Sequence, residues 1–153
     1  MLFADRDGTL IADTGYPIDP MTIALNYPLI SLLQTFSDKI SIAIVSNQSG
    51  ISRGYFSPNA VIDFNLSLVS LLREHSLHVA AIAFCPHVHE DNCHCRKPSS
   101  YMISKLIDIL DISPGNSFMI GDKHTDYESG MNIGIQSELI KTDQVALRNW
   151  LTQ

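Results

Sequence analysis

The feature that most constrains this 153-residue chain is a repeated local pattern, a short apolar run released into a polar cluster at its carboxyl end. The runs cover residues 1–4, 40–45, 79–84 and 117–120, and their bounded, unbroken hydrophobicity predicts strands buried on both faces. Helical periodicity fills the spaces between them. The clearest helix is predicted over 58–75, with Ser57 as N-cap, Pro58 in the first turn, and Val61, Phe64, Leu68, Leu71 and Leu72 on one face. Others are predicted over 28–36 and over 101–110, the latter with Met102, Leu106 and Leu110 inward and a stop at Ser113-Pro114-Gly115. A short helix from Asp143 to Leu151 is expected to close the chain. Strands alternating with helices imply an α/β fold, a parallel sheet joined by right-handed crossovers. Such sheets bind ligands beyond the carboxyl ends of their strands. Asp5, Asn47, Cys85 and Asp122 each stand at one of those ends, which gathers every unusual cluster on one rim.

A chain of this length buries roughly two-thirds of its unfolded surface, enough for one hydrophobic core, and a single domain over residues 1–153 is expected. The net charge of −6 argues against nucleic acid as a partner. No apolar run approaches the ~20 residues of a membrane span, and the acidic opening segment is unlike a signal peptide. A cytoplasmic monomer acting on a small phosphorylated metabolite is the expectation.

Four clusters carry the chemistry. Asp5-Arg6-Asp7-Gly8-Thr9 sets two carboxylates two residues apart before a glycine turn. Ser46-Asn47-Gln48-Ser49-Gly50 gathers the small donors of a phosphate-holding turn. Arg96-Lys97-Pro98 supplies cations, and Gly121-Asp122-Lys123-His124-Thr125-Asp126 returns carboxylates to a strand end. Singly, each has a plain structural explanation: acidic residues and glycine favour turns, Arg96 suits a solvated basic turn, and Asp126 suits a helix cap. Together they match acyl-phosphate chemistry, which needs a carboxylate nucleophile, an acid for the leaving oxygen, a divalent cation and a fixed ammonium. Asp5 is the candidate nucleophile and Asp7 the acid, then the base for the hydrolytic water. Asp122, Asp5 and the backbone carbonyl of Asp7 would hold Mg²⁺ beside Lys97. Arg6, Arg53, Arg96, Lys97 and Lys123, half of the ten Lys and Arg residues, lie in or beside these clusters, which predicts a cationic rim on an acidic protein.

All three cysteines fall within residues 85–95, where Cys85-x-His87 and Cys93-x-Cys95 are five residues apart. Three thiols and an imidazole suit tetrahedral Zn²⁺ in a closed, structural site, with His89 and His94 as alternatives to His87. Catalytic zinc is the weaker option.

Across nearly its whole length the chain resembles the haloacid dehalogenase superfamily, in its subgroup of D-glycero-D-manno-heptose 1,7-bisphosphate 7-phosphatases and histidinol-phosphate phosphatases. The resemblance rests on DRDGTL at Asp5, SNQSGISRGYF at Ser46, the Cys/His loop, CRKP at Cys95 and GDKHTD at Gly121. It implies a Rossmann-like core, Asp5 as nucleophile, Asp7 as acid/base, Ser46 and Lys97 on the phosphate, and Mg²⁺ at Asp5, Asp7 and Asp122. The short chain leaves no room for a separate cap domain, so an open site bordered by the zinc loop and an irregular flap over residues 10–21 is expected. The NQSGISRGYF segment resembles the heptose enzymes. A bisphosphate would need a second anion site, for which Arg53, Arg96 and Lys123 are candidates. The short Cys/His loop resembles the histidinol-phosphate enzymes instead, and Glu90 and Asp91 would there answer the substrate amine. A zinc-stabilised binding protein without catalysis is the third reading, weakened because Asp5, Asp7, Lys97 and Asp122 are all present.

Overall fold

A computed structural model describes residues 1–141 and 144–153. Its elements run β1 (Leu2–Ala4), α1 (Tyr27–Gln34), β2 (Ile42–Asn47), α2 (Pro58–Glu74), β3 (Val79–Cys85), α3 (Tyr101–Leu110), β4 (Phe118–Gly121), α4 (His124–Met131), β5 (Gln136–Leu139) and α5 (Val145–Leu151). The strands form one parallel sheet in the order β3-β2-β1-β4-β5. After β3 the chain crosses back past β1 to lay down β4, so the order reverses between β1 and β4. That reversal opens the crevice where parallel sheets hold ligands.

Alternation along the strands divides the core in two. Leu2, Ala4, Ile42, Ile44, Phe118 and Ile120 face α1, α2 and α5 through Leu29, Ile30, Leu33, Phe64, Leu68, Leu72, Leu147 and Leu151. Phe3, Ala43, Val45 and Met119 face the opposite way, onto Met102, Ile103 and Leu106 of α3. The central strands are buried on both faces and read as continuous apolar runs for that reason. Helix α2 starts as predicted, with the Ser57 hydroxyl accepting from the Ala60 N–H at 3.2 Å and Pro58 in the first turn. Helix α3 ends one residue before Asp111, which takes a left-handed φ of 51°, and residues 114–116 form a short 3-10 turn. The predicted closing helix is α5; its expected start, Asp143, lies outside the described residues.

Two elements, α4 and β5, have no counterpart among the predicted ones. Helix α4 buries Asp126, Ser129 and Gly130, so no apolar stripe marks it. Strand β5 has four residues, Gln136–Leu139, two of them strongly polar. Small size does the packing here. A Cβ on Gly130 would come within 2.8 Å of the Met119 Cβ and would strike the Ser137 hydroxyl. Gly130→Ala is therefore expected to destabilise the fold by about 1–3 kcal/mol through overpacking. Chemical denaturation checks this, and an unchanged midpoint would mean that α4 does not sit this close to β4 and β5.

Candidate active site and metal centres

The reversal between β1 and β4 brings Asp5 and Asp122 side by side, and the first turn of α4 adds Asp126. One carboxylate oxygen from each lies within 4.8 Å of the others. Lys97, 92 residues beyond Asp5, enters from the segment after the cysteine loop. Its Nζ donates to Asp5 Oδ1 at 2.5 Å, to the Val45 carbonyl at 2.6 Å, and pairs with Asp126 Oδ1 at 2.6 Å. An ammonium has three protons, and all three are used. Burial works against the charge on Lys97, but Asp5 and Asp126 outweigh it and hold the ammonium above its ordinary value. Of the three carboxylates Lys97 contacts Asp5 and Asp126, while Lys123 is the cation that acts on Asp122. Burial, together with Asp126 and Asp7, pushes Asp5 well above the carboxylate range despite the pull of Lys97. Asp122 is raised too, chiefly by burial, although Lys123 opposes the rise.

This surplus of negative charge fits a divalent cation, and one atom marks the place. Asp122 Oδ1 is buried without a hydrogen-bond partner. Gly8, at φ 83°, is what lets Asp122 lie there, since a Cβ would come within 2.6 Å of its Oδ2. Gly121 does the same for Asp126, whose side chain occupies the space a Cβ would need. Asp126 is both a cap and a site residue: Oδ2 accepts from the Lys123 N–H at 2.9 Å while Oδ1 meets Lys97.

Asp7 is half-buried and its carboxylate turns away from this trio. Oδ1 accepts from Arg6 Nε at 2.9 Å, and Oδ2 accepts from Arg6 Nη2 at 3.0 Å and Gln48 Nε2 at 2.8 Å. The Asp7 carboxylate is not part of the Asp5, Asp122 and Asp126 group, which leaves its backbone carbonyl as the candidate ligand to a cation held there. Arg6 itself is fully buried, which corrects the expectation that it joins a cationic rim. The Ser46 hydroxyl is buried and accepts from Gln48 Nε2 at 3.1 Å. Asn47 clasps the Lys97 backbone, with Nδ2 donating to its carbonyl at 3.2 Å and Oδ1 accepting from its N–H at 3.0 Å.

Over these groups lies a cleft of about 620 Å³, lined among others by Asp7, Asp13, Asn47, Gln48, Arg96, Lys97 and Lys123. The flap supplies one wall through Asp13, Gly15 and Tyr16. It is irregular as expected, with no strand and one 3-10 turn at Pro20–Thr22, and is tied down at points: Ala12 N–H donates to the Ala24 carbonyl at 2.8 Å, and the Tyr16 ring meets Tyr55 edge-on at 5.1 Å. Lys123 Nζ lies 3.6 Å from Asp13 Oδ2 across the opening. Arg96 Nη1 donates to the His87 carbonyl at 3.0 Å. Arg53 is exposed and is not among the lining residues.

The cysteine loop closes on itself at the end of β3. Cys85, His87, Cys93 and Cys95 each bring one ligand atom within 4.8 Å of the rest, and separations of 2.9–3.7 Å among them fall a little short of the ~3.8 Å edge of a tetrahedron built on zinc–sulfur bonds. His89 and His94 are exposed and outside the cluster. Burial pushes the Cys85 thiol up. Burial acts the same way on Cys93, but the Arg96 N–H and the neighbouring thiols overcome it and bring Cys93 down to about 7. The donor set fits a closed Cys₃His zinc site.

A family model described as HAD-hydrolase-like matches residues 94–149. The D-glycero-beta-D-manno-heptose-1,7-bisphosphate 7-phosphatase of Helicobacter pylori is 35% identical over 92% of this chain and 82% of its own length. The histidine biosynthesis bifunctional protein HisB of Actinobacillus pleuropneumoniae is 37% identical over 89% of this chain, which spans 38% of that longer protein. Among solved structures, a HAD-like protein of Mesorhizobium loti superposes with a TM-score of 0.86 at 30% identity, covering 99% of this chain and 83% of that one. The fold is shared as well with the D,D-heptose 1,7-bisphosphate phosphatase of B. bronchiseptica, solved with magnesium and phosphate, at a TM-score of 0.82 and 24% identity over 90% of this chain and 78% of that one. The chain belongs to the HAD-like phosphatases, in the group that holds the heptose-bisphosphate 7-phosphatases and the phosphatase part of HisB.

Proposed function

We propose that this phosphatase removes the 7-phosphate of D-glycero-D-manno-heptose 1,7-bisphosphate through a phosphorylated Asp5, within the single unit formed by residues 1–153. The observation that carries the mechanism is the buried Lys97 ammonium, held 2.5 Å from Asp5 Oδ1 beside the partnerless Asp122 oxygen. Asp5, Asp122 and the Asp7 carbonyl would hold Mg²⁺. When bound, the ion balances the surplus carboxylate charge and lowers the repulsion between Asp5 and a phosphate dianion.

Asp5 attacks phosphorus, forming one P–O bond as the ester P–O bond breaks, and the proton of Asp7 passes to the departing alkoxide. Asp7, now a carboxylate, takes a proton from water, whose oxygen attacks the same phosphorus and releases Asp5 and inorganic phosphate. Ser46, Asn47 and Lys97 hold the phosphoryl oxygens. For Lys97 this means exchanging one of its three present acceptors for the substrate. The cysteine loop takes zinc as a structural metal and, through the His87 carbonyl, orients Arg96.

Support for a bisphosphate comes from the two cations besides Lys97 that line the cleft, Arg96 and Lys123, and from the name of the H. pylori relative. Arg53, proposed beside them from sequence, would have to reach in from outside the lining. Histidinol phosphate is the second reading, and Asp13 keeps it open as a carboxylate in the cleft wall. Glu90 and Asp91 support it less: neither is among the lining residues, and Asp91 Oδ2 accepts from the Val88 N–H at 3.0 Å and from the Ser52 hydroxyl at 3.2 Å.

With Mg²⁺ present, phosphate release from the heptose bisphosphate is expected to be faster than from histidinol phosphate; the opposite order in a side-by-side assay selects the second reading. Asp5→Asn should lower turnover by at least about 10⁴-fold while leaving the circular dichroism unchanged, and appreciable residual activity would end the covalent mechanism. Metal analysis should find about one zinc per chain, and Cys93→Ser should lower both zinc content and thermal stability. A variant as stable as the parent would mean the loop does not depend on the metal.

A further inference from the structure

Arg6 is the largest fully buried side chain in the protein. It is a guanidinium in the interior, which folding alone does not favour, since a well-packed apolar side chain usually serves stability as well or better. Its surroundings are therefore informative. Nη1 donates to Asn65 Oδ1 on α2 at 2.9 Å, and the guanidinium lies 4.5 Å from the centre of the Phe64 ring. These two contacts fix the plane of the group from behind. On its other side, Nε and Nη2 form a fork onto both oxygens of Asp7. Nη2 also reaches Gln48 Oε1 at 3.0 Å and the Pro17 carbonyl of the flap at 3.2 Å, and the same Gln48 donates to Asp7 from its amide nitrogen.

We infer that Arg6, braced by Asn65 and Phe64, is a positioning residue that sets the orientation of the Asp7 carboxyl group. The inference rests on the proposed acid/base role of Asp7. Arg6 acts on the reaction only through the Asp7 carboxyl group that it grips. A proton donor must stand within hydrogen-bond reach of the leaving oxygen, and a displacement of about 1 Å can lower the rate about 10²-fold. A planar fork that grips both oxygens limits rotation about the Asp7 side chain in a way that a single-point cation such as lysine does not.

The test is Arg6→Lys in the full-length chain with Mg²⁺, assayed on two esters. An alkyl phosphate, glycerol 3-phosphate, leaves as a strongly basic alkoxide and needs the acid. In p-nitrophenyl phosphate the leaving group departs with little protonation. The expected result is a fall in kcat/KM of about 10²-fold for the alkyl ester and less than about threefold for the nitrophenyl ester. Equal falls on both, or none, would overturn the inference and leave Arg6 a purely structural residue. Asp7→Asn, run in parallel, separates the two layers. If it lacks the same selectivity, the acid role of Asp7 is wrong and the inference falls with it; if it has the selectivity and Arg6→Lys does not, only the role of Arg6 is wrong. Should Arg6→Lys fail to fold, Asn65→Leu removes the brace from outside the cleft lining and is expected to give a selective loss of about tenfold, comparable to one hydrogen bond to a charged group. An unselective loss there, or no loss, likewise overturns it.

Discussion

One ammonium group organises this protein. Lys97 is buried at the carboxyl ends of the strands, in contact with Asp5 after β1, the Val45 carbonyl on β2 and Asp126 on α4. A charge taken out of water must be paired and hydrogen-bonded, so the segment carrying Lys97 can settle only where those three acceptors converge. The convergence is in turn a product of the sheet order, because β4 returns beside β1 only after β2 and β3 are laid outward. Fold and site thus fix each other: the sheet supplies the acceptors, and the lysine pins the loop that brings the cysteine cluster and Arg96 to the same rim.

The charge balance around that group explains the rest of the site. Burial raises the proton affinity of Asp5 and Asp122, the neighbouring carboxylates add to it, Lys97 and Lys123 oppose it, and one oxygen of Asp122 is left without a hydrogen-bond partner. Asp7 adds to the negative charge felt by Asp5 but is itself paired with Arg6 and steadied by Gln48. Two aspartates separated by a single residue thereby acquire different surroundings, one facing an excess of anions and the other a guanidinium. Under the proposed mechanism this is why Asp5 would need a bound divalent cation to stand ionised as the nucleophile.

Much of this was legible in the sequence, for identifiable reasons. Strands β1 to β4 and helices α2 and α3 carry hydrophobic patterns long enough to read, and Asp5, Lys97 and Asp122 sit in clusters whose chemistry is conspicuous only when they are combined. Helix α4 and strand β5 were invisible because they pack through Gly130, Ser129 and Ser137, where the absence of bulk does the work and leaves no apolar period. Arg6 was misread as a surface cation because composition and motif position say nothing about burial; its acceptors, Asn65, Gln48 and the Pro17 carbonyl, come from three distant segments. Asp126 looked like either a cap or a site residue, and its two oxygens do both.

The cysteine loop leaves β3 at Cys85 and returns at Cys95, and its four ligand atoms lie within 4.8 Å of one another. A zinc ion held by them would pin the two stems together like the neck of a bag. Residues inserted or removed between His87 and Cys93 change the bag without moving the neck, and lengthening such a closed segment carries only a slowly growing entropic penalty. His89 lies within that segment and borders the cleft, so a change in its length would reshape one wall of the cleft while Arg96, beyond the neck, and the strand-end carboxylates keep their places.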